Sequence, residues 1–221
     1  MTRTVDVPLE ALRRKVLRMG SLAEAILEKA VRALAGRDAA LAREVAGDDL
    51  EIDRLDVEID EAVLRVLALQ APVANDLRHV VACKMIATDL ERVGDLARNV
   101  AKAAIRLAAR EDAALPPRLR TLADESRRLL REAIDSFSDL DAEKAERVLR
   151  EDDVVDREEG LAIQEAIQTL GRNADLAARE VDFILVAKHL ERVADHATNI
   201  AEDVILAIQA RNVKHAAKLA R

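Results

Sequence analysis

Four carboxylate pairs, each with its two members four residues apart, could act together in this chain of 221 residues. In a helix this spacing sets two carboxylates about 5–6 Å apart on one face, where like charges repel. Elsewhere the chain places bases at this spacing from its acids, as at Glu61 and Arg65, but several of the paired acids have no such base. The pairs are Asp49 with Asp53, Glu91 with Asp95, Asp152 with Asp156, and Glu191 with Asp195.

Pairs of this kind on neighbouring helices predict metal binding. Four converging carboxylates raise one another's pKa values unless a cation lies between them. Hard oxygen ligands suit Mg²⁺, Mn²⁺, Ca²⁺ or iron. Asn99 and Asn199 follow the motifs and could add an amide oxygen, although a simple surface amide is an equally good interpretation. Because the acidic stripes flank the apolar helix faces, we expect the sites to be surface grooves.

The acid pairs belong to an internal repeat. Residues 89–102 read DLERVGDLARNVAK and residues 189–202 read HLERVADHATNIAE, with 8 of 14 positions identical at an offset of 100. A weaker match aligns residues 49–53 with residues 152–156 at an offset of 103. Two matches in the same order indicate a duplicated unit. We assign the two copies to residues 1–112 and 117–221.

Helical periodicity runs through both copies and predicts an all-α fold. We expect six long helices at about 8–36, 38–69, 75–110, 117–137, 141–171 and 175–210. Short connections make successive helices antiparallel neighbours, so each copy should be a three-helix bundle. Half of the residues are apolar but only 1% are aromatic, so the core must consist of Leu, Val, Ile and Ala.

Composition limits the function and the location. A net charge of −7 argues against nucleic acid as the main partner, because binding phosphate backbones requires a basic surface. Cys83 is the only cysteine, which excludes an intramolecular disulfide and favours a small buried residue. We find no apolar run long enough to cross a membrane and no signal peptide. We therefore expect a cytoplasmic protein that meets membranes only through protein partners.

The two motif segments resemble the signature segments of the PhoU family of phosphate-uptake regulators. Asp76-Leu77-Arg78, followed by Lys84 and Leu90-Glu91-Arg92, also matches that family's first repeat. The resemblance covers nearly the whole chain, and it is specific because the segments occur twice at the expected separation. It implies two tandem three-helix bundles, a homodimer and no catalytic activity.

The resemblance also implies a function and its partners. Proteins of this family negatively regulate phosphate uptake and phosphate-starvation signalling. We expect the chain to link the ATPase of the phosphate ABC transporter to a phosphate-sensing membrane histidine kinase. When phosphate is plentiful, such a link would restrain transport and keep the kinase silent.

Family members bind multinuclear iron or other divalent metals through paired motifs of the form E(D)-x-x-x-D. The resemblance therefore implies the same eight acids as ligands, with iron, manganese, magnesium or zinc as candidate metals. The first copy departs from the second at Lys102, where the second has Glu202, so its site should be less acidic. His196 replaces Leu96 but follows Asp195 directly and should face away from the acids.

Two other interpretations remain open. A carboxylate-bridged di-iron enzyme would use Glu-x-x-His motifs on facing helices, and the chain contains none. A metal-free helical adaptor could instead use the acidic stripes to dock a basic partner. Metal analysis distinguishes this adaptor from the metal-binding interpretation.

Overall fold

The computed structural model describes residues 5–214 and contains six long helices. They are α1 (Asp6–Gly36), α2 (Ala39–Gln70), α3 (Ala74–Ala108), α4 (Pro117–Asp139), α5 (Ala142–Arg172) and α6 (Ala177–Gln209), with a 3-10 turn at Ala174–Leu176 before α6. The all-α prediction is confirmed. The outermost residues of the two predicted units, 1–4 and 215–221, lie outside the described residues.

Equivalent aspartates cap the start of the second helix in each half. The Asp38 carboxylate accepts hydrogen bonds from the N–H groups of Ala40 and Leu41 at the start of α2. Asp141, which lies 103 residues later, accepts one from Lys144 at the start of α5. Side-chain caps of this kind satisfy N–H groups that have no partner within the helix. The repeat therefore extends to the helix boundaries.

Each half is a three-helix bundle, and the halves join along α3 and α6. α3 packs on α1 and α2, and α6 packs on α4 and α5. α3 and α6 also pack on each other, and α1 contacts α4. One continuous apolar core therefore runs through both halves, and it consists of aliphatic residues apart from Met19, Cys83, Phe137 and Phe183.

None of the helices described here is long and apolar enough to span a membrane. Cys83 is buried, as expected, and burial raises the pKa of its thiol to about 12. The thiolate form needed for metal binding or disulfide chemistry is therefore not available at neutral pH.

Candidate functional site: two acidic grooves

The predicted ligands come together between neighbouring helices in each half of the molecule, and the two sets are named here the first and second acidic groove. The first acidic groove, between α2 and α3, contains Asp49, Asp53, Glu91 and Asp95. The second acidic groove, between α5 and α6, contains Asp152, Asp156, Glu191 and Asp195. Each groove combines two acid pairs from neighbouring helices, as the repeat predicts. The chemistry of the two grooves nevertheless differs.

An arginine bridges two of the acids in the first acidic groove. Asp49 is only 1% exposed, and its Oδ2 accepts a hydrogen bond of 2.7 Å from Nη1 of Arg98 on the neighbouring helix. The same guanidinium donates to Asp95, which is three residues before it. Arg92 adds longer ion pairs to Glu91 and Asp95, at 3.4 and 3.8 Å. Three of the four acids therefore have a cationic partner supplied by the chain itself.

A glycine explains why Asp49 is buried so deeply. A Cβ atom at Gly94 would lie 2.5 Å from Oδ1 of Asp49, closer than van der Waals contact allows. The Asp49 carboxylate therefore occupies the space that a side chain at position 94 would need. Burial is the main factor raising the Asp49 pKa, and the charge of Arg98 partly offsets it.

The second acidic groove has neither the glycine nor the arginine. Position 194 is alanine and position 198 is threonine, where the first half has Gly94 and Arg98. The Asp152 side chain is partly exposed, whereas that of Asp49 is buried. In the part of the chain from residue 5 to 214, none of the four acids of this groove forms an ion pair. Lys188, which the sequence places near Glu191, pairs instead with Glu159 at 2.5 Å.

Repulsion between the carboxylates of the second acidic groove contributes to raising their pKa values. Burial raises the pKa of Asp152 to about 6, and the charges of Asp156, Asp195 and Glu191 raise it further. Burial also raises the pKa values of Glu191 and Asp195, with neighbouring carboxylates acting in the same direction. This groove therefore holds excess negative charge, which Lys188 and Arg192 offset only in part.

The two asparagines adjoin the grooves in different ways. The Asn99 amide oxygen accepts a long hydrogen bond of 3.4 Å from Lys102. The Asn199 amide nitrogen donates to Asp89 at 3.2 Å, which leaves its oxygen available. Within residues 5–214 the Asn199 oxygen therefore accepts no hydrogen bond, whereas the Asn99 oxygen accepts one and keeps a second lone pair.

Donor chemistry in the second groove suits a hard cation, but its side chains are not arranged around one. Nowhere in residues 5–214 do three or more His, Cys, Asp or Glu side chains form a group that could hold a metal ion. Binding would therefore require rotation of the carboxylates towards a common centre. The surplus of unpaired negative charge is what favours such a rearrangement when a cation is present.

Several polar contacts were not predicted from the sequence, and they join the halves. Asp89 on α3 accepts hydrogen bonds from Nδ1 of His196, at 2.7 Å, and from Asn199 on α6. Arg106 on α3 donates two hydrogen bonds to Asp182 on α6, at 2.6 and 2.8 Å. The signal was present in the repeat, because Asp89 and His196 are both positions where the two copies differ in polarity or charge.

A buried acid near this seam is a further departure from the repeat. Asp203 is fully buried where the first copy has Ala103. Burial raises its pKa to about 6, although Lys214 lies 2.8 Å from its Oδ1 as an ion-pair partner.

Comparison with known proteins agrees with the duplicated architecture. The family model described as "PhoU domain" matches residues 16–104 and again residues 119–204. A phosphate-specific transport system accessory protein PhoU homolog from Pseudomonas putida is 34% identical over 219 residues, covering 97% of this chain and 84% of the relative. The accessory protein PhoU of Escherichia coli is 28% identical over 210 residues, covering 95% of this chain and 87% of the relative.

Solved structures show the same fold. The crystal structure of PhoU from Pseudomonas aeruginosa superposes with a TM-score of 0.90 at 34% identity, covering 93% of this chain and 99% of that chain. The crystal structure of the phosphate transport system regulatory protein PhoU from Streptococcus pneumoniae gives a TM-score of 0.87 at 28% identity, with 95% and 99% covered. The repeated motifs, the paired bundles and these matches together establish that the chain belongs to the PhoU family.

Proposed function

We propose that this protein is an accessory regulator of a phosphate-specific transport system. The observation that carries the proposal is the match to PhoU proteins over nearly the full chain, together with two PhoU-domain matches that include both motif segments. In this proposal the protein acts through protein contacts, without a catalytic step of its own. It restrains phosphate uptake and starvation signalling by connecting the transporter ATPase with the sensor histidine kinase in the cytoplasm.

The test of this proposal is a deletion strain. Without the protein, phosphate-starvation genes should be expressed and phosphate should accumulate even in phosphate-rich medium, because the restraint has been removed. A reporter fused to a starvation promoter and a measurement of cellular phosphate check the two effects. Expression of the wild-type chain from a plasmid should reverse both. Low reporter activity in the deletion strain at high phosphate would contradict the regulatory assignment.

We further propose that the family's metal chemistry belongs mainly to the second acidic groove. Its four carboxylates have no ion-pair partner in the described part of the chain, and one has its pKa raised to about 6. In the first acidic groove the guanidinium of Arg98 already occupies the position of a cation between Asp49 and Asp95. A bound divalent metal, or iron, would offset the repulsion in the second groove and stabilise the fold.

Metal binding can be tested with two matched double variants. Asp156→Asn with Glu191→Gln should remove most bound metal, whereas Asp53→Asn with Glu91→Gln, at the equivalent positions, should retain it. Elemental analysis after supplementation with iron, manganese, magnesium or zinc measures the difference. A ligand present at a hundredfold over its Kd stabilises the native state by about 2.7 kcal/mol. Chelation should therefore lower the melting temperature of the wild type and of the first-groove variant only.

The same experiment distinguishes metal binding from the alternative, a metal-free helical adaptor. It is favoured in the first half by the ion pairs of Arg98, which give those acids a structural partner. If supplemented wild-type protein contains no metal and chelation leaves its melting temperature unchanged, the acids of both grooves act as a surface for a basic partner instead.

A further inference from the structure

The outer face of α2 carries a row of exposed apolar side chains that the bundle does not use. Leu50, Val57 and Leu64 are 54%, 60% and 67% exposed and lie seven residues apart. Seven residues bring a helix back to almost the same face, with a drift of about 20°. These side chains therefore form one straight stripe about 21 Å long, at 1.5 Å per residue.

A second row runs beside the first and completes a coiled-coil pattern. Arg54, Glu61 and Ala68 are also exposed and also spaced by seven. Taken together, the two rows alternate in steps of four and three residues, which is the spacing of the contact positions in a coiled coil. The contact face, named here the α2 stripe, consists of Leu50, Arg54, Val57, Glu61, Leu64 and Ala68.

The two charged members of the α2 stripe have no partner within the molecule. Nearby acids on the same helix do form ion pairs within the molecule: Glu51 pairs with Arg18, and Glu58 pairs with Lys15, both on α1. Across residues 5–214, Arg54 and Glu61 form no ion pair. One positive and one negative side chain therefore lie unpaired in a face that is otherwise apolar.

The second half of the chain lacks this stripe. At the repeat offset of 103, Leu50 corresponds to Asp153, Val57 corresponds to Gly160, and only Leu64 retains an apolar equivalent, Ile167. The core positions of α5, in contrast, repeat those of α2, as Ile52 and Val155 illustrate by their burial. The three-helix bundle can therefore form without the stripe, and its presence on α2 needs a different explanation.

We propose that the α2 stripe is the contact surface between two copies of this chain, with the two α2 helices antiparallel and Val57 at the twofold axis. Leu50 then lies against Leu64 of the second copy. Arg54 lies within about 1.5 Å, one residue's rise, of the level of Glu61 of the second copy, and the symmetry repeats both contacts. A parallel arrangement would instead place arginine against arginine and glutamate against glutamate. The pairing of Arg54 with Glu61 therefore favours a second copy in the antiparallel orientation.

This assignment goes beyond the proposed regulatory function and gives the expected homodimer a defined surface. A single pair of helices buries less area than a standard protein interface, so we expect a Kd on the order of micromolar. Polar residues at coiled-coil contact positions fix register and orientation at some cost in affinity. The interface should accordingly be specific and reversible.

Sedimentation equilibrium of the full chain, from low micromolar to several hundred micromolar, is the first test. The wild type should reach a dimer, and Val57→Asp should remain a monomer because it places two carboxylates at the axis. Ile167→Asp, at an equally exposed apolar position on α5, should dimerise as the wild type does. Circular dichroism confirms that each variant remains helical. A wild type that is monomeric throughout would overturn the proposal and leave the stripe to a helix of another protein.

Charge reversal tests the orientation. Arg54→Glu and Glu61→Arg should each weaken the dimer at least about tenfold, a change of about 1.4 kcal/mol. The double variant should bind nearly as tightly as the wild type, because it exchanges the two charges and restores their pairing. Single variants that dimerise as tightly as the wild type would overturn the antiparallel arrangement.

Cross-linking locates the axis. Val57→Cys should give a covalent dimer with a short bis-maleimide, since the two introduced thiols face each other. The native Cys83 provides little background, because it is buried. A dimer that fails to cross-link, while Ile167→Cys cross-links, would place the interface on the other half of the chain. These outcomes are independent of the deletion-strain experiment.

Discussion

Replacing Arg98 by methionine should destabilise the protein by about 2–3 kcal/mol at neutral pH. Removing one partner of a buried ion pair leaves an uncompensated charge, which typically costs 3–5 kcal/mol. The Arg98 side chain is 34% exposed, so solvent reduces the expected loss. Because the Asp49 carboxylate is buried against Gly94, it cannot easily turn towards water. Thermal or urea denaturation measures the effect.

The controls for this prediction use the same groove. Arg92→Met should cost about 0.5 kcal/mol or less, because Arg92 is 56% exposed and its ion pairs are long. Adding Asp49→Asn to Arg98→Met should recover part of the loss by removing the buried charge. The effect of Arg98→Met should also shrink as the pH falls towards 4, since protonation of Asp49 neutralises the same charge. If Arg98→Met were as stable as the wild type, the ion pair would not be holding the buried carboxylate.

Asp152→Asn should have the opposite effect and stabilise the metal-free protein by about 1–2 kcal/mol at pH 7.5. The native fold raises the Asp152 pKa from 3.8 to about 6. A carboxyl with a raised pKa binds its proton more tightly in the folded state. Its stability cost is therefore absent below pH 4, grows as the pH rises towards 6, and is fully present above 6. Discounting for solvent, a shift of this size corresponds to the stated gain.

Denaturation curves in chelator at pH 4 and pH 7.5 check this prediction. At pH 4 the variant and the wild type should be equally stable, because Asp152 is then protonated. Asp153→Asn, at the adjacent exposed position, should change the stability by only a few tenths of a kcal/mol. Asp203 also has a pKa raised to about 6, so some pH dependence should persist in the Asp152 variant. A variant less stable than the wild type at pH 7.5 would mean that the carboxylate makes a necessary hydrogen bond.

The fold could be predicted largely from the sequence because its signals are local. Helical periodicity and the capping aspartates depend on residues within a few positions of one another. The repeat then supplied the architecture, since two copies of one unit must fold alike. The predicted boundaries of the six helices differ from the observed ones by only a few residues.

The difference between the grooves could not be predicted, because it depends on contacts between helices. The sequence places Arg98 three residues from Asp95, which suggests only a local ion pair. The hydrogen bond from Arg98 to Asp49 depends on how α2 packs against α3. This packing depends on Gly94, because a side chain there would clash with Asp49. Both differences are visible when the two repeats of the chain are compared: Gly94 corresponds to Ala194, and Arg98 corresponds to Thr198. Their combined effect, the burial of Asp49 and its ion pair with Arg98, becomes visible only in the packed helices.

The polar contacts along α3 and α6 determine which half can pair with which. If two first halves met through α3, the repeat would place Leu96 and Asn99 opposite Asp89, and Ala82 opposite Arg106. Two second halves would likewise set Leu206 opposite Asp182. Only unlike halves bring Asp89 to His196 and Arg106 to Asp182. The duplicated units have thus become non-interchangeable, and a chain made of two identical copies would lose the two charged contacts that align its own centre.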